Sequence, residues 1–297
     1  MKLKYCIRSM RLRTLPLSLA GIIMGIFIAV SYTQVDWRVI LFLALTTISL
    51  QILSNLSNEL GDTLHGTDSA DERQGMHYSL MDGGLTIPEM KKLIAGSAIA
   101  SAVFGALMIW FSFGTLLSLP AIAFLILGVM ALWAAMHYTL GNNPYGYRGL
   151  GDISVFIFFG VATVLGGYIL CAHQVYSWAV LLPTAAIGFF SVGVLNVNNI
   201  RDMKTDAATR TTVAIKLGGT RARIYQTVLI ALGWICMLIY TILSNTSWLY
   251  LITLPLFVLH LIGVWKRKDR ELDKMLPLLV MSSFAFSILA GIGFCAN

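Results

Sequence analysis

Nine apolar stretches, at about 14–33, 39–58, 91–113, 117–137, 152–172, 177–198, 222–243, 247–265 and 275–295, constrain this chain more than anything else in it. Each is long enough to cross the ~30 Å hydrocarbon core of a bilayer, which takes about 20 helical residues. Lipid offers the backbone no hydrogen-bond partners, so such spans must satisfy themselves as helices. The composition agrees. The chain is 57% hydrophobic and 12% charged, against about 25% charged for a soluble domain. A soluble helical bundle would also show polar positions every three to four residues, and 155–171 shows almost none. The expected fold is therefore all-α: an integral membrane bundle of nine transmembrane helices forming a single domain over residues 1–297, with no soluble domain, linker or low-complexity tract.

The nine spans sort the charges. With alternating loops, every basic residue except Arg38 falls on one side, and that holds for 20 of the 21 Lys and Arg. The positive-inside rule makes that side cytoplasmic. The N-terminus is then inside and the C-terminus outside. Residues 1–32 carry basic residues before an apolar run but no small-x-small cleavage site, and read as a retained first span. The net charge of +7 follows from topology and attraction to anionic lipid, and does not imply a nucleic-acid partner. No obligate protein partner is indicated. Cys6, Cys171, Cys236 and Cys295 show no metal-ligand spacing.

Acidic residues influence topology little, yet all but Asp36 fall on the same side. Two groups of them end apolar runs. Asn198, Asp202 and Asp206 follow at i, i+4 and i+8, so on a helix they share one face. Asn58 and Asp62 repeat the first step of that pattern 140 residues earlier. Asp68 follows at an offset that no regular helix brings to the same face. Gly61 and Gly66 suggest a helix break that lets Asp68 or Asp71 return from a loop. Carboxylates at membrane depth cost ~2.5–3.5 kcal/mol each at the bilayer centre. Two facing sets suit Mg²⁺, which takes one or two carboxylates and completes its shell with water and substrate phosphate. The metal-ligand candidates are Asp62, Asp68, Asp202 and Asp206. The bland alternative is a pair of solvated helix ends, with Arg201 and Lys204 as local partners. The spacing of the two clusters also suggests parallel halves, spans one to four and five to eight, with span nine added. The inverted repeats of many transporters would place the clusters on opposite sides.

Phosphate calls for cations as well. Candidates on the same face are Arg73, Lys91, Lys92, Arg148, Arg201, Arg210 and Lys216. Arg148 stands out within the Gly- and Tyr-rich loop 142–152. Tyr138, Tyr145 and Tyr147 suit a cationic intermediate or a flat aromatic ring, or else an interfacial aromatic belt. Asp152 opens span five. It suits a base or an orienting group for an acceptor hydroxyl, and equally a helix N-terminal acid.

These motifs resemble the UbiA superfamily of intramembrane prenyltransferases. Asn198, Asp202 and Asp206 match its Asn-x-x-x-Asp-x-x-x-Asp motif in full, and Asn58 and Asp62 match in part. Asn199-Ile200-Arg201-Asp202, Lys216-Leu217-Gly218 and Tyr147-x-Gly149-Leu150-Gly151-Asp152 are similar to the 1,4-dihydroxy-2-naphthoate polyprenyltransferase branch. That branch usually has Glu at position 152. It also carries Lys-Gly-x-Asp where this chain has His65-Gly66-Thr67-Asp68. The resemblance implies a multi-pass enzyme of the cell membrane with its site on the cytoplasmic side. It implies Mg²⁺-dependent transfer of a polyprenyl group from polyprenyl diphosphate to an aromatic acceptor, with decarboxylation, in menaquinone biosynthesis. Asp62, Asp202, Asp206, Arg148 and Asp152 would then be catalytic. Asn58, Asn198, Arg201, Lys216, Tyr138, Tyr147 and Arg73 would bind substrate. The same fold acting on 4-hydroxybenzoate, homogentisate, haem or a glycerol phosphate is the alternative. A cation-coupled transporter would need a polar path to both faces, and the spans and outer loops offer none.

Overall fold

The computed structural model describes residues 2–66 and 79–296. Among the described residues nine helices are long and apolar enough to cross a membrane: α1 (Leu3–Val30), α2 (Trp37–His65), α3 (Ile87–Phe113), α4 (Leu119–His137), α5 (Gly151–Ala172), α6 (Trp178–Arg201), α7 (Gly219–Ser244), α8 (Leu249–Lys266) and α9 (Asp269–Cys295). The β pairing among them is a single bridge, Arg148 with Thr211.

Local chemistry sets the helix ends. Asp36 caps α2 by accepting from the Arg38 N–H at 2.8 Å. Thr86 and Glu89 form a reciprocal capping box at the start of α3, with Pro88 in the first turn, the arrangement that satisfies two orphan donors at once. Gly114, at φ +67°, closes that helix. Ser118 caps α4, again with proline in the first turn. Two helices outrun their apolar stretches on the motif side. The α2 helix continues two turns past Asn58 to His65, and Gly66 at φ +62° ends it. Gly61 does not break α2. A β-carbon there would lie 2.5 Å from the Thr139 hydroxyl oxygen, so the glycine admits the loop after α4.

α1, α5, α6 and α9 occupy the middle of the bundle, with α2 packed on α3 and α6 on α7. A rosette of Phe190, Trp234, Tyr250, Phe257 and Phe286 joins α6 to α9, with ring centroids 4.6–6.0 Å apart. Below the second acidic motif a fully buried polar chain ties the same helices. The Met275 carbonyl can only accept, so His260 carries its proton on Nδ1 (3.1 Å) and its Nε2 accepts from the Gln226 amide (3.0 Å). The Gln226 oxygen accepts in turn from Asn196 at 2.9 Å. By contrast α4 turns Ile126, Val129, Met130 and Trp133 outward, as a lipid-facing wall does.

α5 and α6 cross closely because both present glycine, and small residues let backbones approach. A β-carbon on Gly160 would lie 2.8 Å from the Gly188 Cα. Gly160→Val is expected to lower the thermal unfolding midpoint in detergent, by the ~1–3 kcal/mol of an overpacked core. Gly96→Ala, where an added β-carbon meets nothing within 4 Å, is the control. Unfolding of Gly160→Val at the wild-type midpoint would contradict this crossing.

Between Phe156 and Leu165, α5 winds as a π-helix, a rare form that concentrates at functional sites. This stretch walls a cavity of about 300 Å³ running between α1, α2, α4 and α5. The inner end is apolar, with Ile22, Leu43, Met108, Phe124 and Leu170. The outer end is polar, with Asn58, Tyr138, Tyr145 and Ser154, and it opens toward the acidic motifs.

Candidate active site

The two acidic motifs meet through one arginine. Asp62 is 4% exposed near the end of α2, and Asp206 is 1% exposed in the short helix Met203–Asp206 after α6. Arg210 stands between them, with Nη2 2.8 Å from Asp206 Oδ1 and Nη1 3.8 Å from Asp62 Oδ1. Its guanidinium also lies over the Tyr147 ring, 5.3 Å from the centroid. The Tyr147 hydroxyl donates to Asp62 Oδ1 at 2.7 Å, and His65 meets the same ring edge-on. Asp62, Tyr147, Arg210 and Asp206 thus join the first half of the chain to the second.

The loops that carry these groups are strapped together. The Thr211 N–H donates to the Tyr147 carbonyl at 2.9 Å, which fixes Tyr147 and Arg210 side by side. Gly149, at φ +81°, makes the turn that follows, and a β-carbon there would lie 3.3 Å from Lys216 Nζ. Arg148 is exposed beside it. Arg148 and Lys216 therefore rim the site from the solvent side.

Asp202 has a different partner. α6 ends at Arg201, yet the i→i−4 bonds continue: Asp202 N–H to Asn198 O at 3.0 Å, then Asp206 N–H to Asp202 O at 2.9 Å. The three motif residues stay roughly in line. Arg201 folds back along that line. Its Nε and Nη2 fork onto both Asp202 oxygens at 2.8 and 2.6 Å, and Nη2 also donates to Asn198 Oδ1 at 2.8 Å.

The remaining candidates spread around the cavity mouth. Asn58 lines the cavity and accepts from the Thr139 hydroxyl at 3.2 Å. Tyr138 lines it as well, and burial pushes its phenol well above the usual range. Tyr145 donates to or accepts from Ser154 at 3.0 Å. Asp152 faces α7, where Tyr225 donates to its Oδ2 at 3.0 Å. Asp68 and Arg73 lie outside the described residues. Arg210, one of the seven candidate phosphate cations in the sequence, becomes the bridge between the motifs, and its i+4 spacing from Asp206 is the signal that singles it out. One group escapes the sequence reading. Asp273, which holds Arg201 at 2.6 Å, lies outside both motifs. Glu59 beside the first motif is structural, since it accepts from the Ser79 and Leu80 N–H groups at 2.7 and 3.1 Å.

Asp206 bears on whether a cation fits. Its pairing with Arg210 is close but off hydrogen-bond alignment, and both carboxylate oxygens are buried without an aligned donor. Burial pushes its carboxyl up to about 7. Arg210 opposes the rise, while Asp202 and Asp62 add to it. An unfolded Asp titrates near ~3.9, so from about pH 4 to 7 the folded chain holds a proton that the unfolded chain has released. Stability without metal should therefore fall as pH rises through that window. The thermal midpoint of chelator-treated protein is expected to drop between about pH 5 and 7.5, and Asp206→Asn is expected to flatten that slope. An equally steep slope in the variant would remove Asp206 as its source.

Buried carboxylates and hard oxygen donors at the mouth of an apolar cavity suit a lipid-diphosphate chemistry embedded in a membrane. The comparison with known proteins agrees: residues 18–288 match the UbiA prenyltransferase family, and the chain belongs to that family. It is 36% identical to the 1,4-dihydroxy-2-naphthoate octaprenyltransferase of Haemophilus influenzae, over 98% of this chain and 96% of that one. It is 37% identical to the protein of the same name from Escherichia coli, over 89% and 85%. In fold it is similar to a UbiA homologue from Aeropyrum pernix, with TM-score 0.65, 16% identity and coverage of 95% and 98%.

Proposed function

We propose that this chain transfers a polyprenyl group from polyprenyl diphosphate to 1,4-dihydroxy-2-naphthoate. The acceptor loses its carboxyl group, diphosphate is released, and the product is a demethylmenaquinol for menaquinone synthesis. One observation carries this reading: Asp62 and Asp206 face a common arginine at the mouth of an apolar cavity. Relatives of 36–37% identity that bear this activity in their names support the choice of acceptor. The charge asymmetry of the loops supports a site facing the cytoplasm from the cell membrane.

The residues fit Mg²⁺. Asp206 offers oxygens with no aligned donor, and Asp62 and Asp202 offer further hard oxygens. Among the described residues no three His, Cys, Asp or Glu side chains converge into a full ligand set, so water and diphosphate would complete the shell, as is usual for this ion. The cation would supply charge neutralisation to the departing diphosphate. Arg210, Lys216 and Arg148 stand where that negative charge would develop, and fixed cations at such a place lower the barrier to leaving. The apolar walls of Ile22, Leu43, Met108, Phe124 and Leu170 hold the tail and keep water from the allylic carbon. The electron-rich ring then attacks from the polar outer end beside Asn58, Tyr138 and Ser154. The new C–C bond replaces the C–O bond to diphosphate, and the carboxyl leaves as CO₂ with its bonding electrons returned to the ring, so no net proton is released. Asp152, held by Tyr225 at the start of α5, would orient an acceptor hydroxyl. No protein nucleophile is required.

The direct test is product formation by detergent-purified protein given mixed polyprenyl diphosphates and candidate aromatic acids. Prenylated naphthoquinol with CO₂ release, lost on chelation and restored by Mg²⁺, is expected. Prenylation of 4-hydroxybenzoate or homogentisate alone would discard the acceptor and keep the chemistry. Full turnover in chelator would discard the metal.

A further inference from the structure

Arg201 is 5% exposed, and each nitrogen of its guanidinium donates to a partner. Nε and Nη2 cover both oxygens of Asp202, and Nη1 donates to Asp273 Oδ1 at 2.6 Å. Asp273 stands at the start of α9 next to Leu272, which is fully buried. Its other oxygen lies 3.7 Å from Arg13 of α1. The α9 carboxylate is thereby held by arginines of two other helices, α6 and α1, beside the second acidic motif but outside it.

The fork on Asp202 creates a conflict. Each Asp202 oxygen keeps a second lone pair, but the facing pair that a chelating cation would take is the one the Arg201 fork occupies. For Asp202 to chelate a cation, Arg201 must let go, and a buried arginine stripped of its partner is strongly unfavourable. Asp273 resolves the conflict, because it keeps Nη1 paired while Nε and Nη2 are released. The freed edge is a planar pair of donors, the shape that binds phosphate oxygens bidentately. Its tether to Asp273 keeps it within reach of the site.

We propose that Asp273 is a positioning residue that retains Arg201 at the site while Asp202 exchanges its arginine for a divalent cation, so that the released guanidinium edge meets the diphosphate. The proposal rests on the reading of Asp202 as a cation ligand. A simple staple between α6 and α9 would need none of this exchange, and the two roles separate experimentally.

The measurement is Mn²⁺ binding by full-length protein in detergent, read from the EPR signal of free Mn²⁺, with inorganic pyrophosphate present or absent. Asp273→Asn is expected to raise the Mn²⁺ half-saturation at least tenfold, because Asp202 is then the sole carboxylate among the partners described for Arg201. Asp273→Glu restores most of the affinity. In an Arg201→Gln background Asp273→Asn changes nothing further, since no guanidinium remains to be held. Wild-type Mn²⁺ affinity in Asp273→Asn overturns the proposal, even with a lowered unfolding temperature. So does an equal loss in the Arg201→Gln background. Arg201→Lys gives an independent reading that leaves Asp273 intact. It keeps the charge without the fork, and Mn²⁺ binding stays within a few-fold of wild type while pyrophosphate affinity falls tenfold or more. Unchanged pyrophosphate affinity in Arg201→Lys overturns the proposal. Wild-type Mn²⁺ binding in Asp202→Asn instead removes the underlying reading, whatever Asp273→Asn does.

Discussion

Asp62→Ala is expected to reduce prenyl transfer by ~10³-fold or more while the protein still inserts and folds. A single preorganised electrostatic group aimed at developing charge is typically worth ~10²–10³ in rate, and a metal-bound diphosphate concentrates more charge than most leaving groups. Asp62 lies on the last turns of α2, 4% exposed, where Tyr147 donates to it and Arg210 approaches. The helix itself is anchored elsewhere, by Asn55 donating to the Met10 carbonyl at 2.9 Å and by the Glu59 bonds to residues 79 and 80. Removing the carboxylate therefore spares the helix. Turnover within tenfold of wild type, in a preparation with an unchanged elution profile and unfolding midpoint, would sink the assignment of Asp62 to the metal-diphosphate site.

Arg210→Gln carries the second-largest expected effect, a fall of ~10²–10³ in kcat/KM for the prenyl diphosphate. Arg210 is the charged group shared by both motifs, paired to Asp206 at 2.8 Å and approaching Asp62 at 3.8 Å. Its stacking on Tyr147 makes the planar guanidinium matter as well as the charge. Arg210→Lys should recover only part of the loss, because a lysine ammonium neither stacks flat nor forks. The KM for the aromatic acid should change less, since Arg210 pairs with the two motif carboxylates and lies on the Tyr147 ring. An equal rise in both KM values would point to collapse of the loops instead of loss of a diphosphate contact.

Particular residues show how far the sequence could be read. The spans were legible because lipid admits only long apolar helices, and α4 is lipid-facing enough that its apolar run and its helix nearly coincide. The ends of α2 and α6 were less legible. Hydropathy stops at Asn58, while the helix continues to His65 because tertiary partners donate to its carboxylates: Tyr147 to Asp62, and the N–H groups of residues 79 and 80 to Glu59. Gly61 looked like a breaker, and its real reason, the approach of Thr139, comes from a residue on the other side of α3 and α4. Asp202 and Asp206 share a pattern in the sequence, yet one is covered by Arg201 and the other meets Arg210.

The sequence by itself determined the number of spans, their approximate limits, the segregation of charge and the identity of the acidic motifs. All of these follow from local hydrophobicity and short-range spacing. Only the tertiary structure decided which carboxylate met which arginine. Asp62 and Arg210 are held together by a loop-to-loop strap, and Arg201 and Asp273 by the docking of α9 on α6. Such pairings depend on packing between helices distant in the chain, where burial makes each unpaired charge costly and so selects partners that no local pattern announces.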